Sequence, residues 1–583
     1  MKSYAPFALR VLVRQSEIGL TLLAAVIGAL GGCCVLIITR LTLMAHALFY
    51  GLDNGGRLSG LTSLPLWRCL IVLGGGGIAV GLFTIWVGTI LKRRPVDPIE
   101  ANALHGGRMS VRDSLVVVAQ TLISNGVGAS IGLEAGFTQI AASLGSFLGR
   151  SFRVRREDLR ILVGAGAAGA IGSAFDAPIA GAFYAFELVI GTYSLVSLCP
   201  VAVASITGLA VVNFAGGLHN DVRIPHLPPI EWHEAPGVII LSVLCSLIAI
   251  LIMYGVTQSE ALFRRLPGPQ WTKSLWGGLA VGTLAAWSPS VLSAGHEAMR
   301  LVLEGKVLAS ATLFLLVAKA LASSLSIGSG FRGGLFFASL YLGSLAGTGF
   351  GTVLAPYGLA PDNITFCALI GMSAMAVAII GAPMTIISMI LEMIGQVSLG
   401  PILILSAILS FLTTRRLFGY SFATWRFHLR GESIRSAVDV GWIRSLTVQS
   451  LMRVTFRSLH PSVSVSQAQS LFPLGTGNRI ILIDGTGRYQ GMVSIIDLHA
   501  CHDGDKVIGA LAGWKNAMLT PQMNIKDAAS LFVKFEVDAL VVVEDLVSCV
   551  VVGQLGEAYA LRRYAAELER SRRELAGEDR FSV

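Results

Sequence analysis

Charge is scarce in this chain. Asp, Glu, Lys and Arg together make up 14% of its 583 residues, while hydrophobic residues make up 54%, and the mean hydropathy is +0.70. A soluble globular protein carries about 25% charged residues, so a wholly soluble chain is excluded. Cysteine is sparse and scattered: of eight, only Cys33 and Cys34 are adjacent, and no Cys-x-x-Cys or Cys/His cluster occurs. That pattern indicates neither a metal site nor a disulfide framework. A cleaved signal peptide is not expected either. Lys2, Arg10 and Arg14 lead into the first apolar run without a small-residue cleavage site.

What is present is apolar length. Residues 18–39, 70–91, 237–256 and 307–325 are each long enough to cross a bilayer, the last with one charge at Lys319. Runs 164–190 and 370–394 are broken by Gly and Pro. Interrupted helices survive in a membrane only where protein or a wet cavity satisfies the freed backbone. The 66 glycines suit close packing of such helices. The net charge of +9 gathers at Lys92-Arg93-Arg94, between Arg150 and Arg156, at Arg415-Arg416 and at Arg562-Arg563. Short basic clusters beside apolar spans follow the positive-inside rule rather than nucleic-acid binding, and they put the C-terminal tail in the cytoplasm. With no organellar targeting signal, the expected setting is a multi-pass protein in the bilayer of a bacterial plasma membrane.

Two regions about 200 residues apart match. Gly166 stands twelve residues before Pro178 and Glu187 nine after it; Gly371 and Glu392 flank Pro383 at the same distances. Gly132, Gly145 and Gly149 keep the spacing of Gly334, Gly347 and Gly351. Such an internal repeat suits transport folds, which place their ligand site where the halves meet, at helix ends. The matched acids Glu187 and Glu392 are expected to cap neighbouring helix ends. Glu134 differs. It is the lone carboxylate of a long uncharged stretch, inside Gly132-Leu133-Glu134-Ala135-Gly136, and an acid at membrane depth is paired, wet or functional. A helix N-terminus attracts anions, so a carboxylate there can occupy an anion site and leave it when protonated.

Composition shifts near residue 430, which divides a membrane domain, 1–437, from a soluble tail, 438–583. The tail reads twice as helix–strand–strand–helix, at about 448–504 and 516–566.

Taken in order, these segments resemble a CLC-type chloride channel or transporter followed by a pair of CBS modules. Gly132-Leu133-Glu134-Ala135-Gly136, with Thr138-Gln139 after it, is similar to the family's Gly-Arg-Glu-Gly-Pro loop. Ala174-Phe175-Asp176-Ala177-Pro178-Ile179-Ala180-Gly181 resembles the helix that follows. Gly333-Gly334-Leu335-Phe336-Phe337-Ala338 is similar to the Gly-Gly-Ile-Phe-Ala-Pro anion loop, and Tyr420-Ser421 falls where the family places its pore tyrosine. The resemblance implies an all-α polytopic membrane domain, an inverted repeat of broken and tilted helices, joined to a cytoplasmic α/β CBS pair. It implies a homodimer, not an enzyme, with one pathway per subunit for small inorganic anions. The backbone N–H groups of Leu335 and Phe336 and the hydroxyl of Tyr420 would hold the anion, with Gly132, Gly334 and Pro95 beside it. Glu134 would be the external gate. Outside that resemblance, Tyr420 reads as an interfacial aromatic anchor near Arg415-Arg416.

Three departures matter. Pro95 of Arg94-Pro95-Val96-Asp97-Pro98 stands where the family has the serine of Gly-Ser-Gly-Ile-Pro, and a proline there goes with nitrate preference. Leu188 stands where exchangers carry an inner proton-relay glutamate. Leu133 and Gly136 replace the arginine and proline of the gating loop, which should loosen it. The expectation is a passive, glutamate-gated channel for chloride or nitrate; a proton-coupled exchanger on the same fold is the other reading. In the tail, Gly491-Met492-Val493-Ser494-Ile495-Ile496-Asp497 resembles the turn by which CBS modules hold an adenine nucleotide, through Asp497 on the ribose and Ser494 on phosphate. Tyr559 stands where the second module's aspartate belongs, so the pair has one such site or is a purely structural dimerisation module.

Overall fold

The computed structural model describes residues 5–52, 56–90, 94–217, 234–354, 363–429, 446–475 and 478–576. The chain forms two compact units, Met1–Val438 and Asp439–Val583. The expected boundary at 437/438 lies outside the described residues, as do Lys92 and Arg93.

The first unit is helical. Its first half runs α1 (Phe7–Gln15), α2 (Glu17–Tyr50), α3 (Leu66–Ile90), α4 (Pro98–Leu104), α5 (Val111–Gly126), α6 (Glu134–Ser151), α7 (Arg156–Phe175), α8 (Pro178–Tyr184) and α9 (Leu195–Phe214). Its second half runs α10 (Ala235–Arg265), α11 (Gln270–Trp287), α12 (His296–Leu303), α13 (Ala309–Ser329), α14 (Phe336–Leu354), α15 (Ile364–Ile380), α16 (Pro383–Ile394), α17 (Gly400–Leu417) and α18 (Phe422–Leu429). Eight helices among the described residues are long and apolar enough to cross a membrane. Helix α2 outruns the expected span 18–39. Beyond Arg40, the charge that ends the expected run, it buries Thr42, His46 and Tyr50, spaced four apart, against protein while Leu41, Met44, Leu48 and Phe49 stay exposed. Gly51, at φ +69°, ends it.

The repeat is visible as two equivalent crossings. Helix α6 packs on α7 and α14 on α15, and nearly all of α7 and α15 is buried. A Cβ on Gly145 would stand 2.2 Å from the Leu162 carbonyl oxygen, and one on Gly347 would stand 1.9 Å from that of Cys367. Only glycine permits backbones to approach so closely. Gly347→Ala is therefore expected to lower stability by about 1–3 kcal/mol, the usual cost of overpacking, read as a lower unfolding temperature in detergent. An unchanged temperature would mean that the crossing is looser than described.

The prolines at the first turn of α8 and α16 suit a helix start, and each start is capped by the other half. Glu392, on α16, accepts from Ile179 N and Ala180 N, both at 2.8 Å. Glu187 accepts from Met384 N at 3.0 Å, Thr385 N at 2.9 Å and the Thr385 hydroxyl at 2.7 Å. The exchange is reciprocal. Each carboxylate satisfies open N–H groups at the positive end of the partner helix, the capping role expected of both acids. Glu187 reaches it from a wider π turn, Ala185–Ile190, that continues α8.

The second unit holds two three-stranded sheets, β1-β2-β3 and β4-β5-β6. Strands β2 (Arg479–Ile483) and β3 (Tyr489–Ser494) pair antiparallel, as do β5 (Ala539–Val543) and β6 (Val551–Gly556). Each sheet gains a two-residue parallel edge, β1 (Ser458–Leu459) or β4 (Met518–Leu519), too short to show as a period in sequence. Strand β6 begins at Val551, two residues after Cys549, which sits at φ +53°. Ile481, Tyr489, Met492, Val541 and Val543 join the two sheets. Asp484 closes the β2–β3 turn by accepting from the Thr486 hydroxyl, Arg488 N, Thr486 N and the Gln490 amide. These donors, the Thr486 hydroxyl first, hold its carboxyl well below the usual carboxylate range.

Candidate functional site

The two glycine loops meet. Gly132 N donates to Gly334 O at 2.9 Å and Gly334 N to Gly132 O at 3.3 Å, so the two halves pair at equivalent positions. Ser130 N donates to the Ser326 hydroxyl at 3.1 Å and Arg332 N to the Ser124 hydroxyl at 3.0 Å, while the Asn125 amide donates to Ile131 O at 2.6 Å. These bonds hold both loops so that α6 and α14 begin beside each other. The N–H groups of the two glycines are spent on this bridge; those at the first turn of α14 come next.

Glu134 opens α6 and is buried, 5% exposed. Its Oε1 accepts from Phe337 N, at the start of α14, at 3.1 Å. Its Oε2 accepts no hydrogen bond from the described residues. A buried acid is thus bound as an anion would be, at the positive end of a helix, with one oxygen left over. Leu335 and Phe336 adjoin the same turn; Phe336 stacks on Phe175, the last residue of α7, at 5.3 Å between ring centres.

Other residues gather here that the sequence did not single out for the site. His296 stacks on Phe337 at 3.7 Å. Lys319, noted only as a lone charge in a span, is fully buried. Its Nζ donates to Val291 O at 3.0 Å and Ser293 O at 2.6 Å, and it is the cation whose field reaches the Glu134 carboxylate. A cavity of about 90 Å³ beside Glu134 is lined by His46, Arg57, Asn125, Phe175 and His296, among others. His46, Asn125 and Lys319 are polar residues of long helices, Arg57 lies in a loop, and Phe175 and His296 stand at helix ends, so a period-based reading does not mark them for the site.

Pro95 lies in the loop before α4, which α6 holds through the bond from the Gln139 amide to Val96 O at 2.8 Å. Tyr420 lies among aromatics: its hydroxyl meets His428 Nδ1 at 3.2 Å, and its ring packs against His428, Trp425 and Phe418. In the tail, Ser494 precedes the helix Ile495–Ala500 without capping it through its side chain, and Asp497 is exposed on its first turn.

A family model described as a voltage gated chloride channel matches residues 76–415. The chain belongs to that family. It is 33% identical over 380 residues to a ClcB-like chloride channel protein of Ralstonia nicotianae, across 64% of this chain and 88% of the relative. Among solved structures, a slow cyanobacterial Cl−/H+ antiporter aligns over 70% of this chain and 97% of its own, with a TM-score of 0.60 at 18% identity. A eukaryotic CLC transporter aligns over 92% and 97%, with a TM-score of 0.60 at 16% identity. At such identities these two structures speak for the fold: a CLC membrane domain and, over the longer match, the α/β tail of this channel and transporter family.

Proposed function

We propose that each subunit of a homodimer moves a small monovalent anion, chloride or nitrate, through a pathway that Glu134 closes from outside. One observation carries this reading: a buried carboxylate accepts from a first-turn N–H of α14, that of Phe337, where an anion would bind, between loops of the two repeat halves. Partial charges at helix ends bind anions weakly enough for release. The setting is a bacterial plasma membrane with the tail in the cytoplasm. Ser494 and Asp497 offer an adenine nucleotide a hydroxyl and an exposed carboxylate.

Passive conduction is the reading we favour, because Leu188 packs among Ile99, Ala103 and Phe427 and cannot carry a proton. Proton-coupled exchange is the second reading, favoured by two carboxylates, Asp97 and Glu134, whose charge reaches the Tyr184 phenol. The test is flux of chloride, nitrate and fluoride in proteoliposomes with proton movement followed in parallel. Anion flux without uphill proton movement is the expected result. Protons driven uphill by an anion gradient would replace channel by exchanger, and no anion flux at all would end both readings.

A further inference from the structure

The cavity beside Glu134 is walled by the second half of α2, by the loop that holds Arg57 and Ser59, by the start of α6 and by residues 293–296, which lead into α12. Hydrogen bonds fix these walls without spending the charge of Arg57. Ser293 N donates to Gly128 O at 3.1 Å, and the Tyr50 hydroxyl to Val127 O at 2.8 Å. Ala298 N, in the first turn of α12, donates to the Ser59 hydroxyl at 3.4 Å, which seats the Arg57 loop on that turn. Lys319 stands behind the same wall, its Nζ on Ser293 O at 2.6 Å and Val291 O at 3.0 Å. Those bonds use two of the three hydrogens an ammonium offers.

Positive charge therefore collects on one side of the cavity. The Arg57 guanidinium, partly exposed on the wall, donates to no described residue. His296 stacks on Phe337 at 3.7 Å, and its ring nitrogens likewise bond to no described residue. Helix α12 opens on this wall with Gly295 as its cap, so its positive end adds to the same side. The acids nearby are already engaged: Glu297 pairs with Arg300, and Glu134 Oε1 accepts from Phe337 N. Two cations, Arg57 and Lys319, are left against the one carboxylate of Glu134. At about 90 Å³ the cavity has room for an anion and several waters, one water needing about 10–15 Å³ of such space.

We infer that this cavity is a second anion site, outside the seat that Glu134 occupies, where Arg57, His296 and the start of α12 hold a small monovalent anion in the field of Lys319. The inference rests on the gate reading of Glu134 and gives the pathway a loading step ahead of its gate. Helix α2 runs from the arginine-rich end of α6, where Ala5 N donates to Ser151 O, to this cavity, so the site lies towards the face opposite the basic clusters. An anion held here is one ring away from the N–H that holds the carboxylate, because His296 lies on Phe337. Its charge repels Glu134 across a poorly screened interior. A loaded site thus favours the open gate.

The test has two arms. In planar bilayers, current is followed as outer chloride is varied at constant ionic strength, with bulky gluconate as the replacing anion so that screening does not change. Arg57→Gln should raise the half-saturating outer concentration about tenfold, the difference between a charged and a neutral donor, with currents converging as chloride saturates. Arg57→Lys should restore most of the lost affinity. Lys306→Gln, which removes an exposed cation just past α12, is the control for general surface charge and should leave that concentration unaltered. An unaltered value in Arg57→Gln would overturn the inference. In the second arm, crystals of Glu134→Gln are soaked in bromide. Anomalous scattering should show one peak in the cavity and another at the first turn of α14, and adding Arg57→Gln should remove only the first. A peak at α14 alone would overturn the inference and leave the gate reading standing. A peak in the cavity alone would do the reverse, and no peak at either place would end both.

Discussion

Glu134→Gln is expected to raise anion flux about tenfold and to flatten its dependence on pH. The carboxylate takes the Phe337 N–H at 3.1 Å, so a permeating anion must displace it. A hydrogen bond to a charged acceptor contributes about 1.5–3 kcal/mol, against about 0.5–1.5 for a neutral pair. Exchanging carboxylate for amide thus costs the plug roughly 1.4 kcal/mol, a factor of ten in occupancy. The sign of the pH effect follows. Protonation neutralises the plug, so in the unaltered protein flux rises as pH falls, and the amide imitates the protonated form at every pH. Flux assays on proteoliposomes at several pH values check this, with gel filtration showing that the variant is still folded. Unaltered flux with an unaltered pH slope would remove Glu134 from the gate.

Much of this site was legible in the sequence because its parts are unusual for a membrane interior. An acid among glycines stands out, and the spacing shared by Gly132 and Gly334 announced that two loops are equivalent. The structure adds that these residues pair with each other. The same logic worked for Glu187 and Glu392, whose matched positions pointed to helix capping. Sequence spacing failed where a residue reaches the site from another element through a side chain that breaks no pattern. His296 arrives from the start of α12 to stack on Phe337, and Tyr184 looks in sequence like one more aromatic of an apolar helix. Lys319 was visible as a charge but not as a neighbour of Glu134, since its span is separated from the gate by some 185 residues of chain. For Tyr420 the sequence supplies a motif position, and packing adds that its ring lies with Trp425 and His428.

Gly132→Ala should produce nearly the same flux as Glu134→Gln while leaving the acid in the chain. A Cβ at residue 132 would stand 1.8 Å from Glu134 Oε2 and 2.5 Å from both Oε1 and the carboxyl carbon. No such contact is tolerated, and what it meets is the free end of a flexible side chain rather than backbone. The side chain therefore yields. Gly132 does not require a positive φ, so alanine fits its backbone, and the bridge to Gly334 uses only main-chain atoms. The methyl group is a wedge in the seat of the carboxylate. Gly334→Ala is the matched control, because its Cβ would meet Oε2 at 3.4 Å, a contact that small adjustments absorb; its flux should stay near that of the unaltered protein. Since wedge and amide remove the same plug, the double variant Gly132→Ala/Glu134→Gln should conduct no more than either single one, the non-additivity expected of residues in contact. Each variant is measured in the same proteoliposome assay at neutral pH. A folded Gly132→Ala protein with unaltered flux and pH slope would mean that the carboxylate does not close the pathway from this seat, whatever Glu134→Gln does on its own.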